Sequence, residues 1–207
     1  MPVAAPVPVG VILAGGESTR FGSPKGLARV GGARIIDRVA DALRAVSADL
    51  LLVANDPDAD RWLPGVPRIA DRVAGGGGLS GVHAALAHTR RPVLVVAWDM
   101  PFVTPALLDA LARRCAADAA DACVPDSASP VGMEPFCACY APSCLPWLER
   151  ALRAGETGGA RFARSLPRLA RLTAAETAEF GPAARLFFGV NTGDDLARAQ
   201  ALAAESQ

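Results

Sequence analysis

Apolar residues fall into two patterns along this chain: short unbroken runs, and longer stretches with helical spacing. Residues 7–13 form a continuous apolar run that closes on Gly15-Gly16, as expected of a strand covered on both faces. Ile35, Ile36, Val39, Ala40, Leu43 and Val46 recur at helical intervals and predict a helix over 33–46. Strands are expected at 50–54 and 68–70, then a helix over 81–89 capped by Ser80, then a fourth buried strand at 93–97. Thr104-Pro105 pairs a capping hydroxyl with proline at the first helical position, opening a helix to Cys115. Further strands are expected at 122–124 and 136–140, a helix at 142–154 and a last strand at 186–190. Thr192-Gly193-Asp194-Asp195 starts a closing helix that runs to about 204.

Strand and helix alternate through the first half, which predicts an α/β fold. The expected form is a three-layer sandwich with a mostly parallel, Rossmann-like nucleotide-binding sheet. With no repeat and no low-complexity linker, one domain is expected over 1–207, its core over about 7–204. Sheets of this type bind ligands outside the carboxyl ends of their strands. The positions to inspect therefore follow Leu13, Ala54, Ala70 and Ala97.

Composition narrows the partners. Lys and Arg total 21 against 21 Asp and Glu, giving no bulk electrostatic grip on nucleic acid or on an anionic membrane. No apolar run approaches the roughly 20 residues of a membrane span. The first ten residues lack the basic start of a secretory signal, so a cytoplasmic location is expected. Five cysteines without a CxxC pair suggest neither a disulfide framework nor a zinc site, and Cys137 and Cys139 should share one strand face. His83 and His88, five apart, do not share a helix face. The cations are 20 Arg and one Lys, and that single lysine, Lys25, lies in the chain's most unusual loop.

That loop, Leu13-Ala14-Gly15-Gly16-Glu17-Ser18-Thr19-Arg20-Phe21-Gly22-Ser23-Pro24-Lys25, leaves a buried strand through glycines that let backbone approach a phosphate chain. Arg20 can fork onto phosphate oxygens, and Lys25 supplies a compact point charge. The spacing is neither a Walker A loop nor GxGxxG. Asp99, in Trp98-Asp99-Met100-Pro101, ends a buried strand where a carboxylate suits Mg²⁺, and Asp71 is a second carboxylate at the same edge. Gly75–Gly78 runs into Leu79-Ser80-Gly81, a candidate surface for a nucleoside. Gly189-Val190-Asn191-Thr192 sets a polar residue beside the last helix start.

In this order and spacing the segments resemble the MobA-like nucleotidyltransferases, and within them the molybdenum cofactor guanylyltransferase branch. The pattern LAGGxSxRxGxxK is complete from Leu13 to Lys25. A PLAG-type loop stands as Gly78-Leu79-Ser80-Gly81, the metal segment as Trp98–Pro101, and the late VNTPxDL segment as Val190–Leu196. Glu134-Pro135 is similar to the family's segment facing the pterin. Gly78 and Gly193 replace family prolines, Gly189 replaces a first Asn, and Val53 stands where some members carry a base-contacting Asn, with Asn55 two residues on.

The resemblance implies transfer of GMP from GTP to Mo-molybdopterin with Mg²⁺ as cofactor. Arg20, Lys25 and Asp99 would be catalytic, with Asp99 the metal ligand. Leu13, Ala14, Gly15, Gly16, Lys25, Asn55, Asp71, Gly78 and Asp99 would surround the nucleotide, and Glu134 and Asn191 the pterin side. Partner proteins that insert molybdenum and mature molybdoenzymes are implied as well. Three alternatives remain at this point. A cytidylyl or other small-phosphate sibling is one, although the cytidylyl branch typically reads TAAG. A GT-A glycosyltransferase usually needs a DxD pair, which is absent around Asp99. A noncatalytic nucleotide-binding regulator would be favoured only by loss of Lys25 or Asp99.

Overall fold

The computed structural model describes residues 7–15 and 24–205, so Gly16 and Arg20 lie outside the described residues. The chain forms β1 (Val9–Leu13), a 3-10 turn (Lys25–Leu27), the hairpin β2 (Arg29–Val30) and β3 (Ala33–Arg34), and α1 (Ile35–Arg44). There follow β4 (Leu50–Val53), a 3-10 segment (Pro57–Arg61), β5 (Arg68–Ile69), α2 (Gly78–Thr89), β6 (Val93–Ala97), α3 (Pro105–Ala117) and β7 (Ala122–Pro125). The rest is β8 (Cys137–Tyr140), a 3-10 turn (Pro142–Cys144), α4 (Leu145–Arg153), α5 (Gly159–Ser165), β9 (Leu169–Leu172), α6 (Ala174–Ala178), α7 (Ala183–Leu186) and α8 (Gly193–Ala204).

Among the described residues seven strands make one sheet in the order β5-β4-β1-β6-β8-β7-β9, and of these only β8 runs against the others. Successive strand residues face opposite sides, so each strand feeds two cores. Ile12, Leu52, Leu94, Val96, Cys137 and Cys139 pack with Ile35, Ile36, Leu43, Leu107, Leu111 and Ala199 of α1, α3 and α8. Val11, Leu51, Val53, Val95, Ala138 and Tyr140 pack with Leu79, Val82, Leu86, Leu148 and Phe162 of α2, α4 and α5. This is the expected α/β sandwich. All five cysteines are buried with free thiols, and burial pushes the Cys123 thiol up to about 12.

From β1 the chain winds outward through β4 and β5, then returns to place β6 on the other side of β1. The carboxyl ends of β1 and β6 thus flank the sheet's switch point, where α/β sheets open a crevice for ligands. Being antiparallel, β8 begins at this same edge.

Several elements differ from the sequence expectation. Residues 33–34 form β3, so α1 starts at Ile35 and stops at Arg44. Helix α2 starts at Gly78, because Gly77, at φ +56°, turns the chain in a conformation that suits glycine. Ser80 is therefore inside the helix and fully buried, with its hydroxyl unpartnered, and is not the cap. The 142–154 segment divides into a 3-10 turn and α4. No strand forms over 186–190. Leu186 ends α7, and Phe187 and Phe188 pack on the core instead of pairing. The seventh strand is β9, whose Ala170 and Leu172 are buried while Arg171 is exposed.

Candidate active site

Three polar side chains meet at the switch point. Asp99 follows β6 in a turn closed by the Met100 N–H on the Ala97 carbonyl, at 3.3 Å. Asn191 precedes α8, and its backbone N–H donates to the Asp195 carboxylate at 3.1 Å. The same carboxylate completes a capping box with Thr192, which fixes the entry to α8. The Val190 N–H donates to the Asp99 carbonyl at 2.9 Å and ties the two segments together. Lys25 opens its 3-10 turn, and its ammonium donates to Asp99 Oδ2 at 2.5 Å and Asn191 Oδ1 at 2.8 Å. The Lys25 and Asp99 side chains are 15% and 14% exposed, so their attraction is only partly screened.

A second grouping lies past β4 and β5. Asn55 Nδ2 donates to Asp71 Oδ2 at 2.9 Å, and the Asp71 backbone N–H returns a bond to Asn55 Oδ1 at 2.8 Å. The two side chains therefore hold one another at the exposed rim. Leu13 accepts the Trp98 N–H at 3.1 Å, and the Ala14 N–H reaches Val53 at 2.9 Å, which locks the first loop residues to the sheet. Gly15 beyond them is exposed. A Cβ on Gly81 would lie 2.8 Å from Leu13 and 3.6 Å from an Asp71 oxygen, so α2 presses its first turn onto this rim. No described side chain caps that helix, and the positive end of its dipole faces the edge. Gly78 has the Phe136 ring 2.5 Å from where a Cβ would stand, so a side chain there would collide with it.

Glu134 lies at the other side of the crevice. The Ala97 N–H donates to the Phe136 carbonyl at 2.8 Å, which draws residues 134–136 alongside Asp99's turn. The Glu134 carboxylate accepts from the Ser127 hydroxyl at 2.7 Å. Of the residues singled out from sequence, the structure thus joins Lys25, Asp99 and Asn191 in one group and Asn55 and Asp71 in another. It sets Leu13, Ala14, Gly15 and Gly78 along the edge and holds Glu134 by a separate bond.

A family model for the MobA-like NTP transferase domain matches residues 10–172. The chain belongs to this family. It is 35% identical to a protein of Pelotomaculum thermopropionicum named probable molybdenum cofactor guanylyltransferase, over 96% of this chain and 94% of that one. It is 33% identical to the molybdenum cofactor guanylyltransferase of Desulfosudis oleivorans, over 93% and 94%. The crystal structure of molybdopterin-guanine dinucleotide biosynthesis protein A from Archaeoglobus fulgidus superposes with a TM-score of 0.81 at 28% identity, over 95% of this chain and 99% of that one. This MobA-like site also includes residues that sequence reasoning missed. Asp195 had a legible signal, the Thr192-x-x-Asp195 capping pattern. The packing of the Phe136 ring against Gly78 had none, since it joins distant segments.

Proposed function

We propose that the chain transfers GMP from GTP to Mo-molybdopterin, yielding the molybdopterin guanine dinucleotide and pyrophosphate. The observation that carries this reading is the convergence of Lys25, Asp99 and Asn191 at the switch point of a MobA-like sheet. The names of full-length relatives supply the acceptor and the base.

The donor set suits Mg²⁺. Asp99 Oδ2 and Asn191 Oδ1 are hard oxygens aimed at one point, and the Lys25 ammonium is the cation they share. Among the described residues no cluster of three or more His, Cys, Asp or Glu offers another metal site. Asp99 would hold the ion with help from Asn191, and Mg²⁺, when bound, would neutralise charge on the phosphates. Lys25 and Arg20 would pair with the triphosphate. Asn55, Asp71 and the loop backbone at Leu13, Ala14, Gly15 and Gly16 receive the nucleoside, with Gly78 beside them, and Glu134 and Asn191 face the pterin.

In the reaction a terminal phosphate oxygen of the acceptor forms a bond to the α-phosphorus of GTP, and the bond from that phosphorus to the bridging oxygen breaks. A phosphate monoester is already largely ionised at neutral pH, its second pKa being about 6. No general base is required, so catalysis reduces to positioning and charge neutralisation. GTP as donor agrees with the cytoplasmic location expected from the sequence, and no described helix is long and apolar enough to cross a membrane. Molybdenum-insertion and molybdoenzyme-maturation proteins would stand on either side of this step.

Pyrophosphate release with each of the four NTPs, against molybdopterin and a panel of small phosphate acceptors, tests the reading. Turnover with GTP and the molybdopterin acceptor is expected. Turnover only with another acceptor would overturn the assignment.

A further inference from the structure

Trp98 is 2% exposed, and its ring stacks on Trp62 with centroids 4.9 Å apart and planes inclined by 21°. Its backbone N–H is pinned to the Leu13 carbonyl at 3.1 Å. Against the same indole lies Gly26, the middle residue of the Lys25–Leu27 turn. A Cβ on Gly26 would overlap the six-membered ring, only 2.7 Å from Cδ2 and 3.1 Å from Cζ3. The turn that carries Lys25 therefore rests directly on the ring of the residue preceding Asp99. Among the described residues the buried indole Nε1 has no hydrogen-bond partner, so the ring's contact with the turn is one of shape.

We propose that Trp98 is a positioning residue for nucleotidyl transfer. Braced by Trp62, it sets the height of the Gly26 backbone and so fixes the position from which the Lys25 ammonium, here on Asp99 and Asn191, would meet the phosphates. The proposal rests on the reading of Lys25 as a phosphate ligand. Gly26 is then glycine because the seat leaves no room for a side chain, and Trp98 is large because the turn needs a floor.

The test is a pair of double-mutant cycles read by calorimetric binding of a nonhydrolysable Mg²⁺–nucleotide, with melting temperature followed in parallel. Gly26→Ala and Trp98→Leu should each weaken nucleotide binding about tenfold. In the Trp98→Leu background Gly26→Ala should cost less than about twofold, because the ring it collides with is gone. In a Lys25→Met background Trp98→Leu should likewise cost less than about twofold, since its effect passes through the ammonium. Should Gly26→Ala fail to fold, the Lys25/Trp98 cycle alone decides. Additive losses in that cycle, or a Trp98→Leu protein with lowered melting temperature and unchanged nucleotide affinity, would overturn the proposal. The cycles use whichever nucleoside triphosphate the wild type binds. A wrong base assignment then appears as a change of nucleotide and not as a loss of coupling.

Discussion

Replacing Lys25 with Met should move two affinities in opposite directions. The ammonium sits 2.5 Å from Asp99 Oδ2 and 2.8 Å from Asn191 Oδ1, the two oxygens proposed above to hold the metal, and so would compete with it. A metal arriving without nucleotide must displace it. Two unit charges 4 Å apart interact by about 4 kcal/mol at an effective dielectric constant of about 20, and part of that is offset by the desolvation both groups have already suffered. With the side chains only 15% and 14% exposed, roughly 1–3 kcal/mol of net opposition to metal entry is reasonable. Lys25→Met removes that opposition while keeping the length of the side chain. Mn²⁺ alone, followed by loss of its free-ion paramagnetic resonance signal, should bind about 5- to 150-fold more tightly to the variant. Turnover should fall about 30- to 1,000-fold, because a charge-assisted phosphate contact of about 2–4 kcal/mol is lost. Metal affinity that is unchanged or weaker in Lys25→Met would refute the idea that ammonium and metal share one site.

Lys25→Arg should not restore turnover, because the seat at Asp99 and Asn191 fits a point charge and not a planar fork; near-normal pyrophosphate release by that variant would contradict this. Asp99→Asn should keep the melting temperature near wild type and lose most Mg²⁺–GTP affinity in calorimetry; unchanged magnesium dependence of turnover would move the metal to Asp71. GTP should exceed CTP at least about tenfold in kcat/KM, a difference of about 1.4 kcal/mol, with comparable values favouring the cytidylyl sibling. Burial works to raise the Asp121 carboxyl, but hydrogen bonds from Arg168 and Ser143 overcome it and hold it below the usual carboxylate range. Its pKa is thus lower folded than unfolded, so its contribution is complete above the ordinary carboxylate pKa and is lost as pH falls through the folded value. Asp121→Ala should cost about 1–3 kcal/mol near neutral pH, the order of lost hydrogen bonds to a charged group, and less in acid, measured by urea unfolding; an equal loss at every pH would count against the ionised carboxylate.

Legibility in the sequence followed burial. β1, β4 and β6 are covered on both faces and so read as unbroken apolar runs, as parallel central strands should. β9, at the sheet's edge, carries the exposed Arg171, and no such run announces it. The opposite error arose at 186–190, where an apolar run packs on the core as a turn and loop; periodicity alone does not separate the two. At the site, Lys25, Asp99 and Asn191 were each legible from local chemistry. Their meeting was not, because it spans 74 and 166 residues of chain and depends on strand order. The Asn55–Asp71 pair and the Gly26–Trp98 contact were hidden for the same reason, and Ser80 misled because the turn at Gly77 starts α2 three residues early.

On the proposed function this chain moves a guanylyl group onto a pterin phosphate. Incubation with Mo-molybdopterin and GTP labelled separately at the α- and γ-phosphates, with mass analysis of the product, tests it most directly. Guanylyl transfer should place the α-label in a dinucleotide heavier than the acceptor by one GMP unit less water, and the γ-label in pyrophosphate. Release of γ-label as orthophosphate, or a dinucleotide formed from CTP and not from GTP, would contradict it.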